Sequence, residues 1–419
     1  MSPAATAAPD KAITSERLLI FLVGAIQFVN ILDFMMVMPL GPDFAKALGI
    51  STAHLGVVGG SYAASAAVAG LVAAPLLDRF DRRTALGVAI FGLVIGTATG
   101  ALARGLYSLV LARAIAGAFG GPATSLALSI VADVIPPARR GRAMGAVMGA
   151  FSVASVVGVP VGLRLSLWGG WRLPFIGVAC AGVVIGVLAV RALPSMRGHI
   201  AQAATTSRVE RMRSLLGDGT VRLTLAMNAL VMMTAFLVIP NISAYLQQNF
   251  HFPRNGLDFL YFVGGIASFF VMRAAGRGVD RYGSALVAGV GTAILLVVLY
   301  LGFIAPGALG GGAIMALFVA FMIAMSIRNV SMSSLATRVP RSDQRAGYMS
   351  LQSTAQHLAS ATGAFVGSHL LHEGTGGRLE GITTVATLSA LLAMTLPPLL
   401  AMIGRRVRAR EAAAATASR

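Results

Sequence analysis

Apolar residues along this chain come in blocks of about twenty, the length a helix needs to cross a hydrocarbon layer ~30 Å thick. Twelve such blocks stand out, at 18–40, 54–76, 85–103, 107–132, 143–166, 174–192, 223–245, 257–275, 284–304, 312–336, 346–371 and 382–403. Nearly all the charge falls in the short segments between them. In lipid each block is expected to be helical, because only a helix satisfies its own backbone donors and acceptors there. The predicted fold class is an all-α membrane protein of twelve transmembrane helices, called spans 1 to 12 below.

Composition agrees. Hydrophobic residues make up 56% of the chain, charged residues 11%, and the mean hydropathy is +0.80. Soluble domains carry roughly 25% charged residues. A net charge of +18 raises the question of nucleic acid, but the arginines sit in small groups between apolar blocks, with no basic and aromatic surface domain to hold them, so no nucleic-acid partner is expected. Orientation explains them better, since cytoplasmic loops retain Lys and Arg. With the N-terminus inside, the outer loops and span ends hold only Lys46, Arg104, Arg164, Arg172, Arg254 and Arg378, and only Arg113 and Arg328 fall well inside spans. Every other basic residue is then internal. Both termini are expected to be cytoplasmic, in a cell inner (plasma) membrane. The single Cys180 lies inside an apolar block, which excludes a disulfide framework or a cysteine metal site.

The longest internal connection follows span 6. The expected organisation is a tail at 1–17, six spans at 18–192, a basic linker at 193–222, six spans at 223–403 and a tail at 404–419. The halves echo each other. Asp78-Arg79-Phe80 after span 2 recurs as Asp280-Arg281-Tyr282 after span 8, and Gly158-Val-Pro160-Val-Gly162 in span 5 is echoed by Gly363-Ala-Phe-Val-Gly367 in span 11 at nearly the same offset. Two echoes at one offset point to a duplication.

The segment Ala74-Pro-Leu-Leu-Asp78-Arg79-Phe80-Asp81-Arg82-Arg83 resembles the signature loop of the major facilitator superfamily, with Ala74 and Asp81 standing where glycines are usual. Arg113-Ala-Ile-Ala-Gly117-Ala-Phe-Gly120-Gly121 resembles that family's R-x-x-x-G-x-x-x-G element in span 4, and the Gly158 to Gly162 region is similar to its efflux members, with Val159 and Leu163 as departures. The resemblance implies two pseudo-symmetric six-helix bundles around a central cavity lined by spans 1, 4, 7 and 10. It further implies alternating access and proton-coupled efflux of a small molecule such as a sugar or drug. Uptake by proton symport is the alternative. The expected partners are the substrate, protons and the lipid bilayer, and the expected state is a monomer. No cofactor or nucleotide is implied, because no G-x-x-x-x-G-K-[ST] loop occurs.

Asp33 alone among the acids lies well inside a span. A carboxylate in hydrocarbon is costly, which makes it a functional candidate; a structural ion pair is the plainer reading. Counting 1.5 Å per residue from the span ends places Asp33 and Arg113 at similar depth, so they form the candidate proton-coupling pair. Gln27, Asn30 and Asp33 follow at i+3 steps and give span 1 one polar stripe. Further substrate-binding candidates are Arg328 and Asn329 in span 10, Asn228 and Asn241 in span 7, and Gln356 with His357 in span 11. Asp78 is a candidate gating residue, because an acid in a cytoplasmic loop does nothing for orientation, and Arg79, Arg82, Arg142, Asp280 and Arg281 are gating candidates with it. Gly158, Pro160 and Gly162 are candidates for a functional helix bend. Gly56 with Gly60, and Gly141, Gly145 with Gly149, repeat at i+4, spacing that lets helices approach closely. His369 and His372 have no further ligand in view, so no metal site is expected. A membrane-embedded enzyme needs a nucleophile with its base, paired acids or metal ligands, and one intramembrane acid supplies none of these.

Overall fold

The computed structural model describes residues 16–77, 79–196, 208–340 and 345–417. Lys11, Asp78 and residues 197–207 of the linker lie outside the described residues. Among the described residues, eleven helices are long and apolar enough to cross a membrane: Glu16–Met36, Thr52–Val72, Arg82–Ala101, Leu106–Val131, Gly141–Gly169, Arg172–Ala192, Gly219–Phe250, Arg254–Tyr282, Ser284–Ile304, Gly311–Ala336 and Ile382–Ala413. These correspond to spans 1 to 10 and 12. Span 11 is the helix Arg345–Leu370. It is too polar to qualify, and its surroundings give the reason. It packs along span 7 on one side and span 2 on the other, so it meets protein where its neighbours meet lipid.

Spans 1 to 6 form one bundle and spans 7 to 12 a second. In the first, spans 2 and 3 both pack on span 4, and spans 1 and 3 on span 6. In the second, span 7 packs on spans 11 and 12, and spans 8 and 9 on span 10. The bundles meet along two seams, span 2 on span 11 and span 5 on span 8. Large apolar side chains such as Phe21, Val72, Tyr107, Trp168, Phe270 and Leu358 stay exposed on the outside, as a lipid-facing surface requires.

Both described ends lie at one face, the terminal face. There Arg139 pairs with Glu16 at 3.0 Å, Arg410 with Asp218 at 2.6 Å and Arg338 with Glu411 at 2.8 Å. The opposite face, here called distal, carries a two-stranded ribbon, His372–Glu373 with Leu379–Glu380.

Small residues set the seams. A side chain at Gly56 would strike the backbone of Ala364 and the Ser368 hydroxyl, and one at Gly60 would press on Phe365. The i+4 pair of span 2 therefore does bring two helices into contact. Gly141 and Gly145 do not: both face open space, and Gly149 meets only backbone of its own helix. The same spacing serves no close approach there. In span 5, the turn Ala154–Gly158 is widened to π geometry just ahead of Pro160, with Gly158 itself at helical φ −62°, ψ −52°. A widened turn of this kind accommodates the backbone hydrogen bond that proline cannot make.

Candidate functional site

The buried Asp33 and Arg113 of the first bundle pair with each other, and of the Arg113 nitrogens Nε alone has no hydrogen-bond partner among the described residues. Arg113 donates from Nη1 to Asp33 Oδ1 and Oδ2 at 3.0 and 2.9 Å, and from Nη2 to the Asp33 carbonyl at 3.3 Å. The Thr97 hydroxyl donates to Asp33 Oδ1 at 2.7 Å. Asp33 is 0% and Arg113 1% exposed. The guanidinium also lies 4.8 Å from the centre of the Tyr62 ring, within cation–π range. Tyr62 in turn donates its hydroxyl to Asn30 Oδ1 at 2.6 Å. The Asn30 amide donates to the Gly120 carbonyl at 2.9 Å and to the Thr124 hydroxyl at 2.8 Å, and Gln27 reaches the same hydroxyl at 3.3 Å. One chain of contacts thus joins spans 1, 2, 3 and 4.

The span 4 glycines make this chain possible. A side chain at Gly117 would meet the Tyr62 carbonyl, and one at Gly120 would meet both the Tyr62 hydroxyl and Asn30 Oδ1. Span 4 can therefore lie directly on span 2, and the tyrosine ring falls beside Arg113.

The second bundle is different. Arg328 is 0% exposed, and none of its three guanidinium nitrogens has a hydrogen-bond partner. Asn228 accepts from Gln352 and Gln356 at 3.1 and 3.2 Å, so these amides bind one another. Asn241 is buried with both amide atoms unpaired. Asn329 is half-buried and accepts from Ser333 at 3.4 Å, and His357 is half-buried beside Gln356.

Ties across the bundles gather at the distal face. Arg254 of the second bundle grips Asp43 of the first, with nitrogen–oxygen distances of 2.5 to 2.9 Å, and reaches the Ser166 hydroxyl at 2.6 Å. Arg164 meets Asp258 at 3.2 Å. Glu373 accepts from the Thr52 amide and hydroxyl at 2.6 and 2.8 Å, and Thr52 also reaches Gln248 at 3.1 Å. Just inside this face, Phe34 stacks on Phe236 at 5.6 Å, and Met38, Met232, Ile239 and Met325 close round them as an apolar plug. At the terminal face, among the described residues, no ion pair joins the bundles.

Of the gating candidates, Asp78 lies outside the described residues, and the others take separate positions. Arg82 pairs with Asp133 at 3.2 Å inside its own bundle. Arg79, Arg142, Asp280 and Arg281 are exposed, and Arg281 lies over the Tyr282 ring at 5.2 Å. Asp81, the departure from the family pattern, caps span 3. It accepts from the Arg83 amide at 2.9 Å, the Met196 amide at 3.0 Å and the Ser195 hydroxyl, tying the end of span 6 to the start of span 3. Thr97, Tyr62 and the Asp43–Arg254–Ser166 cluster were not legible as site residues; the first two carry no charge, and loop charges read as orientation signals.

Two helical halves latched at one face, with charge buried between the helices, are the build of a membrane carrier. The profile of the Major Facilitator Superfamily matches residues 23–364, and the chain belongs to that family of transporters. It is 29% identical over 265 residues to a chloramphenicol resistance protein of Streptomyces lividans, a match covering 62% of this chain and 66% of that one. It is 30% identical over 162 residues to a chloramphenicol efflux pump of Mycobacterium tuberculosis, covering 38% and 39%. The matched stretches thus span less than two thirds of these curated relatives. Among solved structures it is similar to a bacterial homolog of the human lysosomal transporter Spinster in an inward-facing, unoccupied conformation. The TM-score there is 0.73 at 17% identity, covering 93% of this chain and 97% of that one. A D-xylose–proton symporter aligns with a TM-score of 0.66 at 19% identity, covering 90% and 96%.

Proposed function

We propose that this transporter exports small amphipathic molecules across the plasma membrane in exchange for protons, by alternating access between the bundles 18–192 and 223–403, with 193–222 as the hinge. The observation that carries the proposal is the Asp33–Arg113 pair, a fully buried carboxylate held by a cation and a hydroxyl. A carboxylate in that setting can trade its proton against its cation, and a step that opens the bundle changes which of the two it holds. Efflux is favoured over uptake by the span 4 and span 5 motifs and by the printed names of the two chloramphenicol-related proteins. The charge bias puts the terminal face in the cytoplasm. With the ties at the distal face, the conformation described here is then closed to the outside.

The test uses purified protein in proteoliposomes with an acidic lumen and a panel of small amphipathic compounds that includes chloramphenicol. Wild type accumulates a compound against its gradient while lumenal protons leave. Asp33→Asn loses this accumulation and keeps downhill counterflow. Accumulation by Asp33→Asn equal to wild type overturns the coupling assignment. Accumulation only with the acid side outside makes the protein a symporter.

A further inference from the structure

The second bundle contains a cation without a counter-charge. Arg328 lies on span 10 with no exposed surface and three unpaired nitrogens, and no carboxylate among the described residues lies in the middle of spans 7 to 12. The room for it is built in. A side chain at Gly291 of span 9 would press on Arg328 Cγ at 3.1 Å, so the glycine leaves the arginine stem its space. The next residue, Thr292, is buried with its hydroxyl unpaired as well. An arginine that served only to brace the bundle would donate to helix carbonyls or amides. Asn228, Gln352 and Gln356 bind one another and leave Arg328 out.

The position of Arg328 suggests what it receives. Met325 precedes it by three residues, hence by one helical turn, and belongs to the plug of Phe34, Met38, Met232 and Phe236 that seals the bundles. Arg328 thus stands one turn to the terminal side of a residue that joins an apolar, methionine-rich surface between the halves. Methionines repack easily around guests of varied shape, and a guanidinium favours the planar fork of a carboxylate or the oxygens of a phosphate. We infer that Arg328 is the head-group site for the transported molecule, which is an organic oxyanion whose apolar body lies against the Met and Phe plug. This deepens the transport reading and rests on it for the route in and out, while the binding itself can be tested without transport.

The experiment uses the purified full chain in nanodiscs of phosphatidylcholine alone, which removes anionic lipid as a source of oxyanion, in a low-salt buffer. Kd is measured calorimetrically for a series of ω-phenyl carboxylates of increasing chain length, for their matched carboxamides and for inorganic phosphate. In wild type at least one carboxylate is expected to bind about ten-fold or more tightly than its amide, the order given by a charge-assisted hydrogen bond. Arg328→Gln erases that preference and leaves amide binding in place, and Arg328→Lys retains part of it. Asp33→Asn keeps the preference, which separates this site from the coupling pair: loss of coupling with intact anion preference sinks only the transport reading. Equal binding of acid and amide across the series by wild type overturns the proposal, a result that needs no variant to fold. So does an Arg328→Gln protein that keeps the preference, or inorganic phosphate that binds as tightly as the best carboxylate, which marks a bare anion site.

Discussion

The two buried arginines of this molecule live in opposite circumstances. Arg113 of the first bundle has a carboxylate within 2.9 Å and an aromatic ring beside it. Arg328 of the second bundle is equally buried and has no hydrogen-bond or ion-pair partner among the described residues. Removing a charge from water costs several kcal/mol even after the protein relaxes, and only a well-placed counter-charge offsets it. The buried charges of the first bundle therefore balance each other, and in the proposed cycle Asp33 takes up or loses the proton. The second is incomplete when empty, and it becomes complete when something else supplies the negative charge. On the readings proposed above, one half handles the ion and the other the cargo.

The largest effect that bears on this contrast is on energy coupling. Asp33→Asn is expected to lower pH-driven accumulation in proteoliposomes to background, while Arg328→Gln leaves the pH gradient coupled for any cargo it still carries. Equal loss of coupling in both variants would dissolve the distinction between the halves.

Thermal unfolding of the empty protein sharpens it further. Asn at 33 leaves Arg113 buried without its counter-charge, a change that costs about 3–5 kcal/mol in other buried pairs, so Tm falls by several degrees. Arg328→Leu removes an uncompensated charge, and Tm holds or rises. A drop in Tm for Arg328→Leu matching that of Asp33→Asn would mean that Arg328 does have structural partners.

Much of the first arginine's setting was legible in the sequence, and little of the second's. Charged residues inside apolar blocks are rare enough to single out Asp33, Arg113 and Arg328 without a structure. Depth counted from the span ends also brought the first two to one level, and they do touch. Which faces the helices present was not legible. A span surrounded by protein and lipid is apolar nearly all round, so no amphipathic stripe fixes its rotation. Thr97 and Tyr62 stayed hidden for this reason. The glycine spacing was ambiguous in the same way: it marked a true seam at Gly56 and Gly60 but open space at Gly141 and Gly145. Asp81 read as a lapse in a loop pattern and proved to be a helix cap.

Gly120→Ala tests whether the first bundle's network matters as a unit. The added methyl would meet the Tyr62 hydroxyl and Asn30 Oδ1, so the Tyr62–Asn30 hydrogen bond must break or span 4 must retreat. Overpacking of this kind typically costs about 1–3 kcal/mol. Transport is expected to fall roughly ten-fold, with binding of the second bundle's ligand preserved. Arg254→Ala acts between the bundles. Losing the Asp43 and Ser166 contacts weakens distal closure by roughly 1 kcal/mol, a several-fold shift toward the distal-open state in spin-label distances. An unchanged distance distribution would mean that the Arg254 grip on Asp43 has no part in distal closure.

The smallest effect concerns the distal tie that pH can reach. Glu373 stands on the ribbon of the second bundle and accepts from the Thr52 amide and hydroxyl, at the start of span 2 in the first. The Thr52 amide above all holds its carboxyl below the usual glutamate value of 4.5, with further help from the Thr52 and Ser51 hydroxyls and the nearby His54. The ionised form is therefore the one bound when the bundles are closed. The sign follows from linkage: a depressed pKa contributes to closure that is fully present above the ordinary value and is lost as pH falls through the depressed one. Distances across the distal face should thus hold constant from neutral pH down to about 4.5 and lengthen below it, where the carboxyl takes up its proton. Glu373→Gln removes the share of this response that belongs to the Thr52 tie, so its distances change less between neutral and acid pH than those of wild type. If the wild-type distances lengthen at low pH and the Glu373→Gln distances follow the same curve, the acid response belongs to another group, and the tie between Glu373 and Thr52 has no part in closing the distal face.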